Sequence, residues 1–233
     1  MKGALVGTLL AVAVVLQSCS TQVYNNKGYL KQTDISGKKV AILPVEVELT
    51  GRLPKNMTES GKRRLENDES RLIQQQLFGQ YLYKSKKGKK RKAVDLINVD
   101  RINSTLNQKG IDARQAWAMD PDSLGRLLGA DLVLKVRVKK DRIMSETASL
   151  GIGVAGAVLD NIFSKGDNSN GSPTNAPKTY NMFLDATLTD ANTHAVVTKF
   201  SHRGDANWNR RPEEVIESSG RKIVRKGVVY AQN

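Results

Sequence analysis

The feature that most limits how this chain can fold is its opening. Lys2 precedes an apolar run from Ala4 to Leu16, broken only by Gly7 and Thr8, and the sequence turns polar directly after Cys19. A transmembrane helix needs roughly 20 apolar residues, so this run is too short to span. It has the basic start, short apolar middle and small-residue end of a secretory signal. Cys19 is the only cysteine in 233 residues. No intrachain disulfide can therefore form, and whatever folds after it must be held by an ordinary apolar core, even in an oxidising compartment.

The four residues Leu16-Gln17-Ser18-Cys19 resemble the bacterial lipobox, in which the cysteine is acylated and, after cleavage, becomes the mature N-terminus. The resemblance implies a signal peptide over 1–18, a covalent lipid on Cys19 and no other cofactor. Each buried methylene contributes roughly 0.8 kcal/mol, and stable attachment takes more than one chain. Ser20, Thr21 and Gln22 bring no aspartate after the cysteine. By the family's rules this places the anchor in the outer membrane, on its periplasmic face. Residues 19–37 are polar and without period, which predicts a lipidated tether. Residues 38–233 are then a single α/β domain carrying a glycine-rich insertion over 146–177.

The formal charge of +14 suggests a polyanionic partner. The signal argues against nucleic acid and leaves anionic lipid, lipopolysaccharide phosphate or acidic protein. The cations concentrate in one run containing Lys86, Lys87, Lys89, Lys90, Arg91 and Lys92, with Gly88 in the middle and no aromatic residue. Single-stranded nucleic-acid sites interleave stacking side chains with their charge. The run therefore reads as a flexible basic loop, with contact to an anionic surface as its functional alternative.

Along the domain, the β-rich run Val40–Val45 predicts a strand buried on both faces, with Pro44 marking its end or an edge. Leu65, Leu72, Ile73, Leu77 and Phe78 recur at helical spacing and predict an amphipathic helix from about 58 to 80. Residues 93–99 predict a second strand, followed by a helix capped by Asp100 and closed by Gly110. A short helical piece (ARQAWAM) leads to Asp120-Pro121-Asp122, a clear helix start. Residues 130–143 predict a third strand, in which Lys135, Arg137 and Lys139 alternate with valines, so that one face is solvated. A hairpin over 179–189 and 194–202 and a last helix from Arg211 to Val229 complete the set.

Two stretches invite chemistry. Gly151, Gly153 and Gly156 form a GxGxxG by letter. However, they follow the third strand, with no helix, strand and ribose carboxylate beyond them, so a dinucleotide site is not supported. With Ile152 and Val154, these glycines lie in a small-residue apolar segment, 147–163. That segment suits a packing surface, a membrane-touching insertion or a hydrophobic arm. His194 and His202 are about 26 Å apart along an extended chain and cannot share a metal. No nucleophile elbow, zinc motif or phosphate loop is present, so the residues point to a protein that is not an enzyme.

The order of phrases is similar to the CsgG-type lipoprotein fold of the curli secretion lipoprotein, LpoB and the TolB N-terminal domain. They are Lys39-Val40-Ala41-Ile42-Leu43-Pro44, Val94 to Arg101, Leu128 to Leu134, and Leu184 to Thr193. The resemblance implies a single mixed sheet of about five strands flanked by helices. It also implies an accessory or assembly role through an envelope protein partner. The alternative it carries is an oligomeric secretion pore or membrane-remodelling component using 147–163, although no second insertion follows Phe200.

Overall fold

A computed structural model of the chain describes residues 21–85, 94–143, 178–207 and 211–226. They form one mixed open sheet of seven strands flanked by six helices. The strands are β1 (Thr21–Asn25), β2 (Lys39–Ile42), β3 (Glu46–Gly51), β4 (Asp95–Leu96), β5 (Leu132–Arg142), β6 (Lys178–Asp190) and β7 (Val196–Asn207). The helices are α1 (Lys27–Gln32), α2 (Glu59–Ser85), α3 (Val99–Gln108), α4 (Ala113–Ala118), α5 (Pro121–Leu128) and α6 (Pro212–Lys226). The order across the sheet is β1-β7-β6-β5-β2-β4, with β3 also on β5. The β1–β7, β7–β6 and β6–β5 pairs are antiparallel; β2 and β3 run parallel to β5, and β4 runs parallel to β2.

Pro44 explains why one predicted strand became two. Ile42 pairs with Leu134, yet Glu46 pairs with Arg137, so one extra residue is absorbed between them. Proline has no N–H for the ladder and is found at edges and bulges, and here the strand resumes beyond it. The predicted strand over 93–99 contracts to Asp95–Leu96, because Asn98, not Asp100, caps α3: its side chain accepts from the Asp100 N–H. The starts of α4 and α5 follow the sequence. Asp112 and Gln115 form a reciprocal capping box, and Asp120 caps a helix whose first residue is Pro121. Gly129 closes α5 at φ 67°, in the left-handed region where glycine avoids a Cβ penalty.

The polar segment after Cys19 is not a tether in the described part. β1 pairs with β7 from Thr21↔His202 to Asn25↔Thr198, and Tyr29 and Ile35 are buried in the main core. The expectation failed because the burial rests on isolated residues. One aromatic and one isoleucine give no period, and β1 is secured mainly by backbone pairing with a strand far along the sequence.

The core has two layers. Against one face of the sheet pack Ile73, Leu77 and Tyr81 of α2 with Val215, Ile216, Ile223 and Val224 of α6. Against the other face, over the start of β2 and β5, pack Ile102 and Leu106 of α3, Ala116 of α4, and Leu124 and Leu128 of α5. Residues Val40 to Leu43 and Leu132 to Leu134 are thus covered on both sides, which is why they read as continuous apolar runs. Gly125 lets α5 approach the hairpin closely, since a Cβ there would lie 2.4 Å from Ala191 Cβ and 2.9 Å from the Ala130 oxygen.

Farther along the sheet the second face carries rows of polar side chains. The register aligns Glu46, Arg137, Asp185, Ser201 and Gln22 across five strands, and Glu48, Lys139, Phe183 and Arg203 beside them. The predicted solvated alternation of β5 is borne out here: Lys135, Arg137 and Lys139 are half-buried while Val136 and Val138 are fully buried.

Candidate interaction surfaces

Every residue named from sequence as a candidate contact lies outside the described residues. This holds for Cys19, for the cations from Lys86 to Lys92, and for Gly151, Ile152, Gly153, Val154 and Gly156. Their flanks are described, and the topology separates them. β1 runs antiparallel to β7, so Thr21 points toward the end of the sheet that carries the flanking residues Arg142, where β5 finishes, and Lys178, where β6 begins. Val94, which follows the basic run, lies at the other end, beside Asp95 where it pairs with Lys39. The eleven residues of β5 separate the two ends by roughly 33 Å.

The free edge of β3 forms a cleft that sequence reading did not find. Just past the end of β3 the Arg52 N–H donates to the Arg142 carbonyl at 2.9 Å, which sets the even-numbered positions toward β5. The alternation turns the backbone groups of Val47 and Leu49 outward. Two of the outward positions along β2 and β3 are closed by α2: the Leu49 N–H donates to Glu66 Oε1 at 3.0 Å, and Gln74 Nε2 donates to the Ile42 carbonyl at 2.7 Å. Between these plugs lies a cavity of about 150 Å³ lined by Val45, Val47, Arg63, Glu66, Asn67 and Ser70, among others. Ser70 is 2% exposed, and its hydroxyl has no hydrogen-bond partner among the described residues.

The charges around the cleft are unequally matched. Glu66 is buried and meets Arg114 Nη2 at 2.9 Å and Lys62 Nζ at 4.0 Å. Asp112 is occupied in capping α4, and Glu46 is held by Arg137. Arg63 is exposed and makes no ion pair among the described residues. A signal for this site existed in the sequence. Glu66, Ser70 and Gln74 recur every four residues along α2, in line with the buried face, whereas Leu65 and Leu72 are 41% and 51% exposed. The expected leucine stripe is thus corrected at its N-terminal half, where closing the strand edge requires polar side chains.

Two further clusters are structural in their geometry. Arg137 stacks its guanidinium 3.7 Å from the centre of the Trp117 ring, while Lys135 donates to the Trp117 and Met119 carbonyls at the end of α4. Burial holds the Lys135 amine below the usual lysine range, against the opposing pull of Asp120. At the opposite side, Asp190 is 1% exposed and accepts from the Tyr29 hydroxyl, from Lys38 Nζ at 2.7 Å, and from the Asn192 and Thr193 N–H groups at 2.9 Å each. Burial would raise its pKa, but these donors overcome it and hold the carboxyl well below the usual range. Burial likewise works to lower Lys38, and the bonds to Asp190 and Tyr29 outweigh it, leaving the amine above its ordinary value. The cluster ties α1 to the β6–β7 turn. His194 sits in that turn at φ 58°; His202 is buried in β7, its Nδ1 2.8 Å from Thr21 Oγ1.

No family model matches the chain, and no curated protein does. Solved structures similar to it include a dodecamer of PelC from Paraburkholderia phytofirmans, at 11% identity over 92% of this chain and 99% of that one, with a TM-score of 0.40. Lipoprotein GNA1162 from Neisseria meningitidis is 13% identical over 81% of this chain and 96% of that one, with a TM-score of 0.39. The LpoB C-terminal domain from Escherichia coli is 11% identical over 76% and 90%, with a TM-score of 0.30. At such identities and scores neither residues nor activity transfer.

Proposed function

We propose that this chain is a lipid-anchored accessory protein of a bacterial outer membrane that acts by binding an envelope protein partner and has no catalytic role. The observation that carries the reading is the lipobox-like Leu16-Gln17-Ser18-Cys19 placed one residue before an ordered strand. A lipid on Cys19 would hold Thr21 within about 7 Å of the anchor. The edge of the sheet would then lie close against the bilayer instead of hanging from a tether. Among the described residues no helix is long and apolar enough to cross a membrane, so the proposed attachment rests on the lipid.

The CsgG-type resemblance belongs to this proposal, as does the envelope partner it implies. The basic run from Lys86 to Lys92 leads into Val94 and β4, at the end of the sheet opposite the one toward which Thr21 points. This favours contact with an acidic partner over contact with the anchoring bilayer itself.

The test is mass spectrometry of the mature chain recovered from membranes, paired with fractionation of a Cys19→Ser variant. Acyl chains on Cys19, and release of the variant to the soluble fraction, are expected. An unmodified thiol on a membrane-bound chain would overturn the anchor and with it the localisation.

A further inference from the structure

β1 is the outermost strand of the sheet, and β7 is its only pairing neighbour among the described residues. The Asn26 N–H donates to the Val197 carbonyl at 2.9 Å, one residue past Asn25↔Thr198 in the same register. Bonded positions alternate along an antiparallel ladder, so Gln22 and Tyr24 direct their N–H and C=O groups to β7. Thr21, Val23 and Asn25 direct theirs away from the sheet, where no hydrogen bond to a described residue meets them. This edge is accessible: Gln22, Tyr24 and Asn25 are exposed, Tyr24 to 54%, and Thr21 and Val23 are half-buried. α1 leads inward from it, since Tyr29 reaches Asp190 at the end of β6. Natural sheets guard such an edge with charge, proline or a bulge. Thr21-Gln22-Val23-Tyr24-Asn25 has neither charge nor proline, in a chain with 37 lysines and arginines, and its register with β7 runs without a bulge.

We propose that β1 pairs antiparallel with β1 of a second copy of this chain, two-fold about Val23, so that one sheet continues across both copies. That centre sets Val23 against Val23 and Thr21 against Asn25, all with outward backbone groups, and forms about six hydrogen bonds. Pairing one residue out of this register would set them against Gln22 and Tyr24, whose groups serve β7, and a larger shift shortens the ladder. Gln22 then lies opposite Tyr24 of the second copy on the open polar face, and no charge meets a like charge across the junction. A two-fold junction asks only that the strand match itself, which this uncharged sequence does. An unrelated acidic or basic strand would find no opposite charge in β1 to select it. The other edge of the sheet is formed by the two residues of β4 and by β3, which α2 overlies, so pairing through β1 closes on a dimer and does not grow a fibre.

This goes beyond the accessory reading above, and its test does not depend on acylation. Sedimentation of the purified mature chain in detergent, over a concentration series, should pass from one copy per particle to two. Across the same series, hydrogen exchange at the Val23 and Asn25 amides should slow about tenfold, while Gln22 and Tyr24, already bonded to β7, stay constant. The double variant Gln22→Lys/Tyr24→Lys changes two exposed side chains and sets lysine opposite lysine twice. It should weaken the dimer about tenfold, whereas Gln22→Lys/Tyr24→Glu sets opposite charges at the same positions and should restore it. The proposal is overturned if the chain stays monomeric throughout the series, which would leave the edge to a different protein. It is overturned if Val23 and Asn25 are protected already at dilution, because another part of the chain would then cover the edge. It is also overturned if the two double variants associate alike, which would put the junction elsewhere. A chain found to lack its lipid could still pass every arm, so this proposal and the lipid anchor fail separately.

Discussion

Replacing Asp190 by asparagine probes the polar cluster that fastens the N-terminal segment. The amide keeps one oxygen for the Asn192 and Thr193 N–H groups. It removes the charge that Lys38 approaches at 2.7 Å and turns an NH₂ toward two donors, Lys38 and Tyr29. Removing one partner of a buried ion pair typically costs about 3–5 kcal/mol. The Lys38 side chain is 21% exposed and can recover some hydration, so about 2–3 kcal/mol is expected at pH 7. Urea denaturation of the mature chain measures this, and with m of about 2.5 kcal/mol per M the midpoint should fall by about 1 M. The pH dependence supplies the sharper check. Asp190 is held below its unfolded value. Its stabilisation is thus present above about pH 3.9 and lost as the pH falls through the folded value. Lys38 is raised, so its share is complete below about pH 10.4 and lost as the pH rises beyond that. The gap between parent and variant should be flat from about pH 5 to 9 and should narrow by about 1 kcal/mol at pH 3. A gap under about 1 kcal/mol at pH 7, or one unchanged at pH 3, would refute the account of the cluster.

Two other outcomes follow from the same packing. Tyr29→Phe leaves Asp190 its other three donors and should cost about 1 kcal/mol in the same titration. Gly125→Ala forces a Cβ into Ala191 and the Ala130 carbonyl. It should destabilise by about 1–3 kcal/mol, read as a lower melting temperature with the sheet's circular dichroism retained.

What was legible in the sequence was what repeats locally. The caps at Asp112 and Asp120, the doubly covered runs of β2 and β5, and the half-solvated alternation of Lys135, Arg137 and Lys139 all show in a short window. Features that depend on a distant partner did not show. Thr21–Asn25 carries no strand pattern and is a strand because β7 borders it. Leu65 and Leu72 looked buried because the need of the Leu49 N–H for Glu66 lies outside any helical window. The cleft was hidden for the same reason, since its walls come from β3, α2 and α4.

The pairing of Thr21 with His202 also fixes an order of events. Among the described strands β1 comes first along the chain and its neighbour β7 comes last, 181 residues later from Thr21 to His202. Contacts of such sequence separation close slowly. Until β7 exists, β1 has no seat. Once the hairpin forms, β7 in turn presents an unprotected edge until the N-terminal strand returns to cover it. Between completing β7 and capturing β1, the β7 edge of the described sheet is thus open to pairing with another chain.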